Sequence, residues 1–197
     1  MAKPFSQACE NNKAPILEVL AEVFREPGTI LEIGSGTGQH AVHFGRHLPH
    51  LTWQPTDVAE NLPGIRAWLA EAGVANVREP LVLDLGQTDW PVAAADGVFS
   101  ANTAHIVSWP QVERLFTGVA SMLPGGAAFC LYGPFSYDGA HTSESNARFD
   151  EMLRGRDPHS GIRDLRDLEG LAEGVGLRLE ADYAMPANNR TLVWRRQ

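Results

Sequence analysis

One segment constrains this chain more than any other: Ile30-Leu31-Glu32-Ile33-Gly34-Ser35-Gly36-Thr37-Gly38. An apolar strand runs directly into a glycine loop, and the residues after it predict a helix ending near Leu48. Glycine permits the tight turn and lets a ligand approach the backbone with no Cβ in the way. The start of the helix then offers free N–H groups and a positive partial charge. Such a unit belongs in an open, mainly parallel α/β sheet with a ligand at the C-terminal strand ends.

The rest of the chain alternates helix and strand in agreement with that reading. An opening helix fits residues 12–25, where Ile16, Leu17, Leu20, Val23 and Phe24 share one face and Pro27-Gly28 stops it. Strands are predicted at 29–33, 51–56, 80–85, 97–101 and 127–132. One helix has Asn61 as its cap, Pro63 in its first turn and Gly73 at its end. Another starts at Ser108-Trp109-Pro110 and turns Val112, Leu115, Phe116, Val119 and Met122 inward. Residues 133–143 read as irregular, and Gly133, Gly139 and the aromatics there suit a lid. A short helix follows near 145–155, then a last helix capped by Asp164. Strands at 177–184 and 191–194 form a hairpin around Pro186-Ala187-Asn188-Asn189. The expected architecture is α/β, with a seven-stranded, mostly parallel sheet and one antiparallel strand. At 197 residues, and with roughly 150 residues per domain, one domain over 1–197 is expected. Residues 1–27 would form a capping helix region.

Nicotinamide and flavin binding compete for the glycine loop. Their G-x-G-x-x-G fingerprint would put its last glycine at position 39, which is Gln39. The glycines stand instead at 34, 36 and 38, with Glu32 before them. Asp57 follows the second strand about twenty residues on, where a carboxylate can accept both ribose hydroxyls. A helix cap or solvated loop carboxylate would account for it equally by position alone. Asp84 and Leu85 close the third strand, and Asn102 closes the fourth, again at the ligand-binding edge.

The E-x-G-x-G-x-G spacing resembles motif I of class I S-adenosylmethionine-dependent methyltransferases. The resemblance extends along ACENNKAPIL (8–17), SGTGQHAVHF (35–44), WQPTD (53–57), YGPF (132–135), HTSESN (141–146), GIRDL (161–165) and MPANN (185–189). These look like a small methyltransferase-like family that includes methyltransferase-like protein 26. The resemblance implies a three-layer, Rossmann-like methyltransferase fold with S-adenosyl-L-methionine as cofactor. It implies cofactor contacts from Asn12, Glu32, Gly34, Ser35, Gly36, Gly38, Asp57, Asp84, Leu85 and Asn102. Family resemblance also favours His141 and Arg163 at the site, and Tyr132 joins them as a candidate catalytic residue at a strand end. His105, Tyr137, Asn146, Asn188 and Asn189 are further candidates on the acceptor side. The chain departs from the family pattern at Asn11, where a basic residue is common, and at Ser160, where an aromatic is common.

Composition narrows the acceptor. Sixteen Lys and Arg against 24 Asp and Glu give a formal charge of −8. That balance opposes nucleic-acid binding, which needs a clustered excess of positive charge. No apolar run approaches the roughly 18 residues that cross a bilayer. Residues 1–10 carry no apolar signal-peptide core. The expected partner is a small-molecule substrate in the cytoplasm, with neither nucleic acid nor membrane. Cys9 and Cys130 are too few for a disulfide framework and are expected to be packed thiols. His40, His43, His47 and His50 invite a metal reading, but no Cys or carboxylate ligand accompanies them in the sequence, so none is expected. Methyl transfer needs a general base only when the acceptor arrives protonated, so the reading requires no catalytic dyad. A scaffold or sensor that binds the cofactor without catalysis is the alternative.

Overall fold

The opening helix begins earlier than its apolar pattern suggests. Ser6 accepts the Cys9 amide at 3.3 Å and caps α1 (Gln7–Val23), supplying an acceptor for one of the orphan amides of the first turn. The computed structural model describes residues 3–197; Met1 and Ala2 of the expected capping region lie outside the described residues.

The chain continues as β1 (Gly28–Ile33), α2 (Gln39–His47), β2 (Leu51–Asp57), α3 (Leu62–Ala72), β3 (Leu81–Val82) and β4 (Gly97–Ala101). Then come α4 (Trp109–Met122), β5 (Ala128–Gly133), β6 (Phe135–Tyr137), β7 (Ala140–His141), α5 (Glu144–Arg156) and β8 (Arg163–Asp164). The chain closes with α6 (Leu165–Gly174), β9 (Leu177–Met185) and β10 (Asn189–Arg196). The main sheet has seven strands in the order β3-β2-β1-β4-β5-β10-β9. Only β10 is reversed: it pairs antiparallel with both β5 and β9, while β1 pairs parallel with β2 and with β4. The expected seven-stranded, mostly parallel α/β sheet is therefore present.

Alternation along the strands builds two cores. Ile30, Trp53, Phe99, Cys130 and Val193 face Ile16 and Leu20 of α1 and Phe44 of α2. Phe44 meets Trp53 and Phe99 at ring-centroid distances of 5.4 and 5.3 Å, within the range where aromatic pairs add to simple burial. Leu31, Ile33, Val98, Phe129, Leu131 and Trp194 face α4 and α6 on the other side. A near-continuous apolar run in β1 is what a strand covered on both faces requires.

Two sequence expectations change. The third strand shrinks to Leu81–Val82. The 133–143 segment, expected to be irregular, holds β6 and β7, which join β8 in a small second sheet. Asp164 organises it: besides capping α6 through Arg166 N at 3.0 Å, its Oδ2 accepts Ser136 Oγ at 3.0 Å and Gly139 N at 2.8 Å. These bonds lower its pKa against the effect of burial. Held by the Asp164 carboxyl, the segment is part of the framework, and only Pro134 of it reaches the cleft described below.

Candidate functional site

Strand order reverses direction at β1: the chain steps outward to β2 and β3 on one side and to β4 and β5 on the other. Connections therefore diverge above the C-terminal ends of β1 and β4 and leave a crevice there. A cleft of about 1050 Å³ opens at that point. It is lined by the glycine loop, the ends of β2, β3, β4 and β5, the first turns of α1, the face of α5 and the 186–189 turn.

The loop is fixed from below. Gly34 and Ser35 both donate their amides to Thr56 O, at 3.0 and 2.9 Å, and Ser35 Oγ accepts the Thr56 amide at 3.2 Å. Gly34, Gly36 and Gly38 all have positive φ, which an L side chain adopts only with strain. Their environments differ. A Cβ on Gly34 would lie 2.4 Å from Thr103 Oγ1, and one on Gly38 would lie 2.9 Å from Ile65 Cα. A Cβ on Gly36 would meet nothing within 4 Å and would project into open space. Gly36 is thus the glycine whose bare backbone serves the cleft. Gly38, at the N-terminus of α2 in the left-handed conformation, is needed for close packing on α3.

Asp57 lies at the mouth of that loop. Its Oδ2 accepts the Gly36 amide at 2.6 Å, and its Oδ1 accepts Val58 N at 2.7 Å and Asn61 Nδ2 at 2.8 Å. Asn61 stands at the N-cap of α3, as the sequence predicts, but its side chain makes no cap bond and orients Asp57. Asp84 lines the same side, with Oδ1 held by Gly86 N at 2.7 Å. Leu85 also lines the cleft, and its carbonyl is taken by Arg114 Nε at 2.6 Å. Asn102, at the end of β4, has φ of 58° and donates its amide to Tyr132 O at 2.9 Å. A non-glycine residue held in this region at the ligand edge is a common mark of a functional site.

Glu32 is corrected from the sequence reading. It lies beneath the loop, buried and outside the cleft lining, where its Oε2 accepts Trp53 Nε1 at 2.9 Å. Burial raises its pKa to about 7, against the lowering effect of hydrogen bonds from Trp53 and Ser35. It braces the loop from below. Gly38, as above, is likewise outside the lining.

The first turns of α1 line the cleft, and Asn12 is among the lining residues. His40 Nε2 and Asn12 Oδ1 are 2.7 Å apart, both buried, so the ring donates through Nε2. Burial lowers the His40 pKa to about 4 and keeps the ring neutral. Gln39, read only as the residue that breaks a dinucleotide fingerprint, is a clasp. Its Oε1 accepts Ser6 N at 2.6 Å, while its Nε2 donates to Ser6 O at 3.3 Å and Glu10 Oε1 at 2.6 Å. Two other histidines of the stripe turn to backbone, His47 Nδ1 to His43 O and His50 Nε2 to Phe24 O, both at 2.8 Å, while His43 Nε2 is buried without a partner among the described residues.

On the far side of Asn102 the lining changes character. Tyr132, His105, Ile106, Val107, Phe149, Pro134, Pro186 and Ala187 form a mainly apolar half. His105 is buried and meets the Phe149 ring edge-on at 5.4 Å. Burial and then the Arg163 charge pull its pKa down to about 4. Burial raises the Tyr132 phenol, so it stays protonated. Asn146 donates to Asn188 O at 3.0 Å and to Thr142 Oγ1 at 2.9 Å, fixing the turn that supplies Ala187 and Asn189.

His141 and Arg163 do not reach the cleft. His141 sits on β7 with Nε2 3.6 Å from Asp150 Oδ2. Arg163 is buried behind the wall and donates to the carbonyls of Ala104 and His159, both at 2.9 Å, and of Val107. Tyr137 donates to Asp182 Oδ2 at 2.7 Å, also away from it. Phe149, Ile106 and Arg156 do line the cleft and were not singled out from sequence. Their only sequence signal is the helical spacing of Ser145, Phe149 and Arg156, which is meaningful only once α5 is known to face the cleft. Among the described residues, no group of three or more His, Cys, Asp or Glu is placed to hold a metal, and no helix is long and apolar enough to cross a membrane.

Residues 3–196 match the model of a family described as "Protein of unknown function (DUF938)". Solved structures with the same fold are methyltransferases. An O-methyltransferase family protein from Burkholderia thailandensis superposes with a TM-score of 0.82 at 18% identity, over 94% of this chain and 56% of that one. An O-methyltransferase family 2 protein from Planctomyces limnophilus, in complex with apigenin, gives 0.83 at 17% identity, over 96% and 58%. CalO1, a methyltransferase in calicheamicin biosynthesis in its SAH-bound form, gives 0.75 at 22% identity, over 94% and 54%. This chain spans just over half the length of each. At such identities the likeness is one of fold, the class I methyltransferase fold.

Proposed function

Given that the chain belongs to the DUF938 family, whose description assigns no activity, we propose from its site that it is an S-adenosyl-L-methionine-dependent methyltransferase acting on a small molecule. One observation carries the reading. The bare Gly36 backbone and the Asp57 and Asp84 carboxylates line one continuous cleft at the topological switch point of a class I methyltransferase fold. The open position at Gly36 is a cradle that any side chain would fill. The cleft volume of about 1050 Å³ is at the upper end of the roughly 300–1,000 Å³ usual for ligand sites, enough for cofactor and acceptor together. The resemblance to the methyltransferase-like protein 26 family supports the same reading, as does the SAH named in the CalO1 structure.

In this reading Asp57 accepts the ribose hydroxyls with the lone pairs that Gly36, Val58 and Asn61 leave free, and Asp84 accepts the adenine amino group. The amides of the glycine loop and Asn12 line the remainder of the cofactor half. When bound, the cofactor supplies an electrophilic sulfonium methyl, so the protein's task is positioning and exclusion of water. Asn102 stands at the junction of the two halves. Tyr132 and neutral His105 are the groups beside the acceptor that can donate or accept a proton, His105 as a base at neutral pH. The overall charge of −8 supports a small acceptor over a nucleic acid. Calorimetric titration with S-adenosylhomocysteine tests the reading: micromolar binding is expected, and no heat of binding by the folded protein would refute it.

A further inference from the structure

The two halves of the cleft differ in charge. The cofactor half carries Asp57 and Asp84; the other half has no carboxylate, and Arg156 is the single Lys or Arg among the lining residues described. Among the described residues Arg156 pairs with no carboxylate, whereas its neighbour Arg154 is held by Asp150 at 2.9 Å. A second cation stands behind the wall. Arg163 binds three carbonyls, and its charge, partly offset by Asp150, reaches His105.

Apolar surface is exposed at Ile106 of the lining and at Met152, which lies outside it. Ile106 is 55% exposed and Met152 is 42% exposed, two of the four large hydrophobic side chains left exposed in the described chain. Met152 falls between Phe149 and Arg156 on one face of α5. A mainly apolar lining with one placed charge is how ligand pockets are usually built.

We propose that the acceptor half takes an amphipathic organic acid, its apolar body lying against Ile106, Phe149 and Met152 and its carboxylate on the Arg156 guanidinium. The inference rests on the methyltransferase reading only for naming this half the acceptor side. Arg156 acts in recognition: its planar fork suits a carboxylate, and it discriminates against a neutral or cationic relative of the same shape. The competing account is a solvated cation that merely complements the C-terminal end of the α5 dipole.

The test uses 2-naphthoate, 2-naphthamide and 2-naphthylmethylamine as probes, titrated by calorimetry into the full chain with and without S-adenosylhomocysteine. The naphthoate is expected to bind about two- to fivefold more tightly than the amide, the range of a rim ion pair, and the amine more weakly still. Arg156→Gln is expected to abolish the preference and leave S-adenosylhomocysteine affinity intact; the residue is exposed, so folding is preserved. Met152→Gln is expected to weaken all three probes equally. An amide that binds as well as the acid, a preference that survives Arg156→Gln, or no saturable binding of any probe overturns the proposal. Loss of S-adenosylhomocysteine binding alongside an intact acid preference would instead bring down the cofactor reading.

Discussion

The Gly36 amide donates to Asp57 Oδ2 at 2.6 Å, so the glycine loop and the acidic end of β2 move as one unit. Replacing Asp57 by Asn removes the charge and leaves one oxygen for three donors, so either Gly36 or the Val58 and Asn61 pair faces an NH2 group. S-Adenosylhomocysteine affinity is expected to fall about tenfold, the scale of a lost charged hydrogen bond, with a loss of stability of about 1–3 kcal/mol from the unpaired donors. Calorimetry and a thermal melt of the same samples decide it; unchanged affinity would remove Asp57 from the cofactor site.

Gly34 and Gly36 separate folding from binding. Ala at 34 would place a Cβ 2.4 Å from Thr103 Oγ1, whereas Ala at 36 meets open space. Both carry a left-handed backbone cost of about 1–2 kcal/mol, but only Gly34→Ala adds a clash. Gly34→Ala is expected to unfold at clearly lower urea, and Gly36→Ala to fold well yet bind S-adenosylhomocysteine poorly. Equal stability losses in the two variants would contradict this.

Glu32 gives a pH signature. Its folded pKa near 7 exceeds its ordinary 4.5, so between those values the native state holds more protons than the unfolded one. Its contribution is fully present below about pH 4.5 and is lost as pH rises through 7. Glu32→Gln is therefore expected to gain stability relative to the parent as pH rises over this window. Urea unfolding at several pH values measures the difference, and a difference independent of pH would show that Glu32 is charged throughout. His40, His43 and His105, all lowered by burial to about 4, act in the opposite sense. Their contribution is complete above about pH 6.5 and is lost as pH falls toward 4.

Arg163 and His141 are expected to affect stability and not cofactor binding. Arg163→Met leaves the buried Ala104 carbonyl and the part-buried Val107 and His159 carbonyls short of a donor, a loss of about 2 kcal/mol. His141→Ala, at a half-exposed position, is expected to cost about 0.5 kcal/mol or less. A cofactor-affinity loss in either, with folding intact, would return that residue to the site.

Most of the main sheet and half of the site could be read from residue patterns. Ile30 to Gly38 declare a strand, a loop and a helix because steric freedom at glycine is local to the chain. The position of Asp57 follows because parallel strands end on the same side. What failed was long-range. Glu32 precedes the glycines as in the motif, but alternation along β1 points it beneath the loop at Trp53. Arg163 carries a charge that sequence cannot place, and only the folded wall shows three carbonyls waiting for it. Gln39 and Asn61 were legible as residue types but not as partners, since Ser6 and Asp57 reach them through tertiary contacts.

The two halves of the cleft also have different histories open to them. The cofactor half is made from strand ends and glycines whose replacement disturbs the sheet, so it tolerates little drift. Ile106, Phe149, Arg156 and the 186–188 turn hang from loops and one helix face outside that sheet. Substitutions there leave the sheet intact, so under the proposed function a chain of this kind can exchange one acceptor for another while keeping the same cofactor grip.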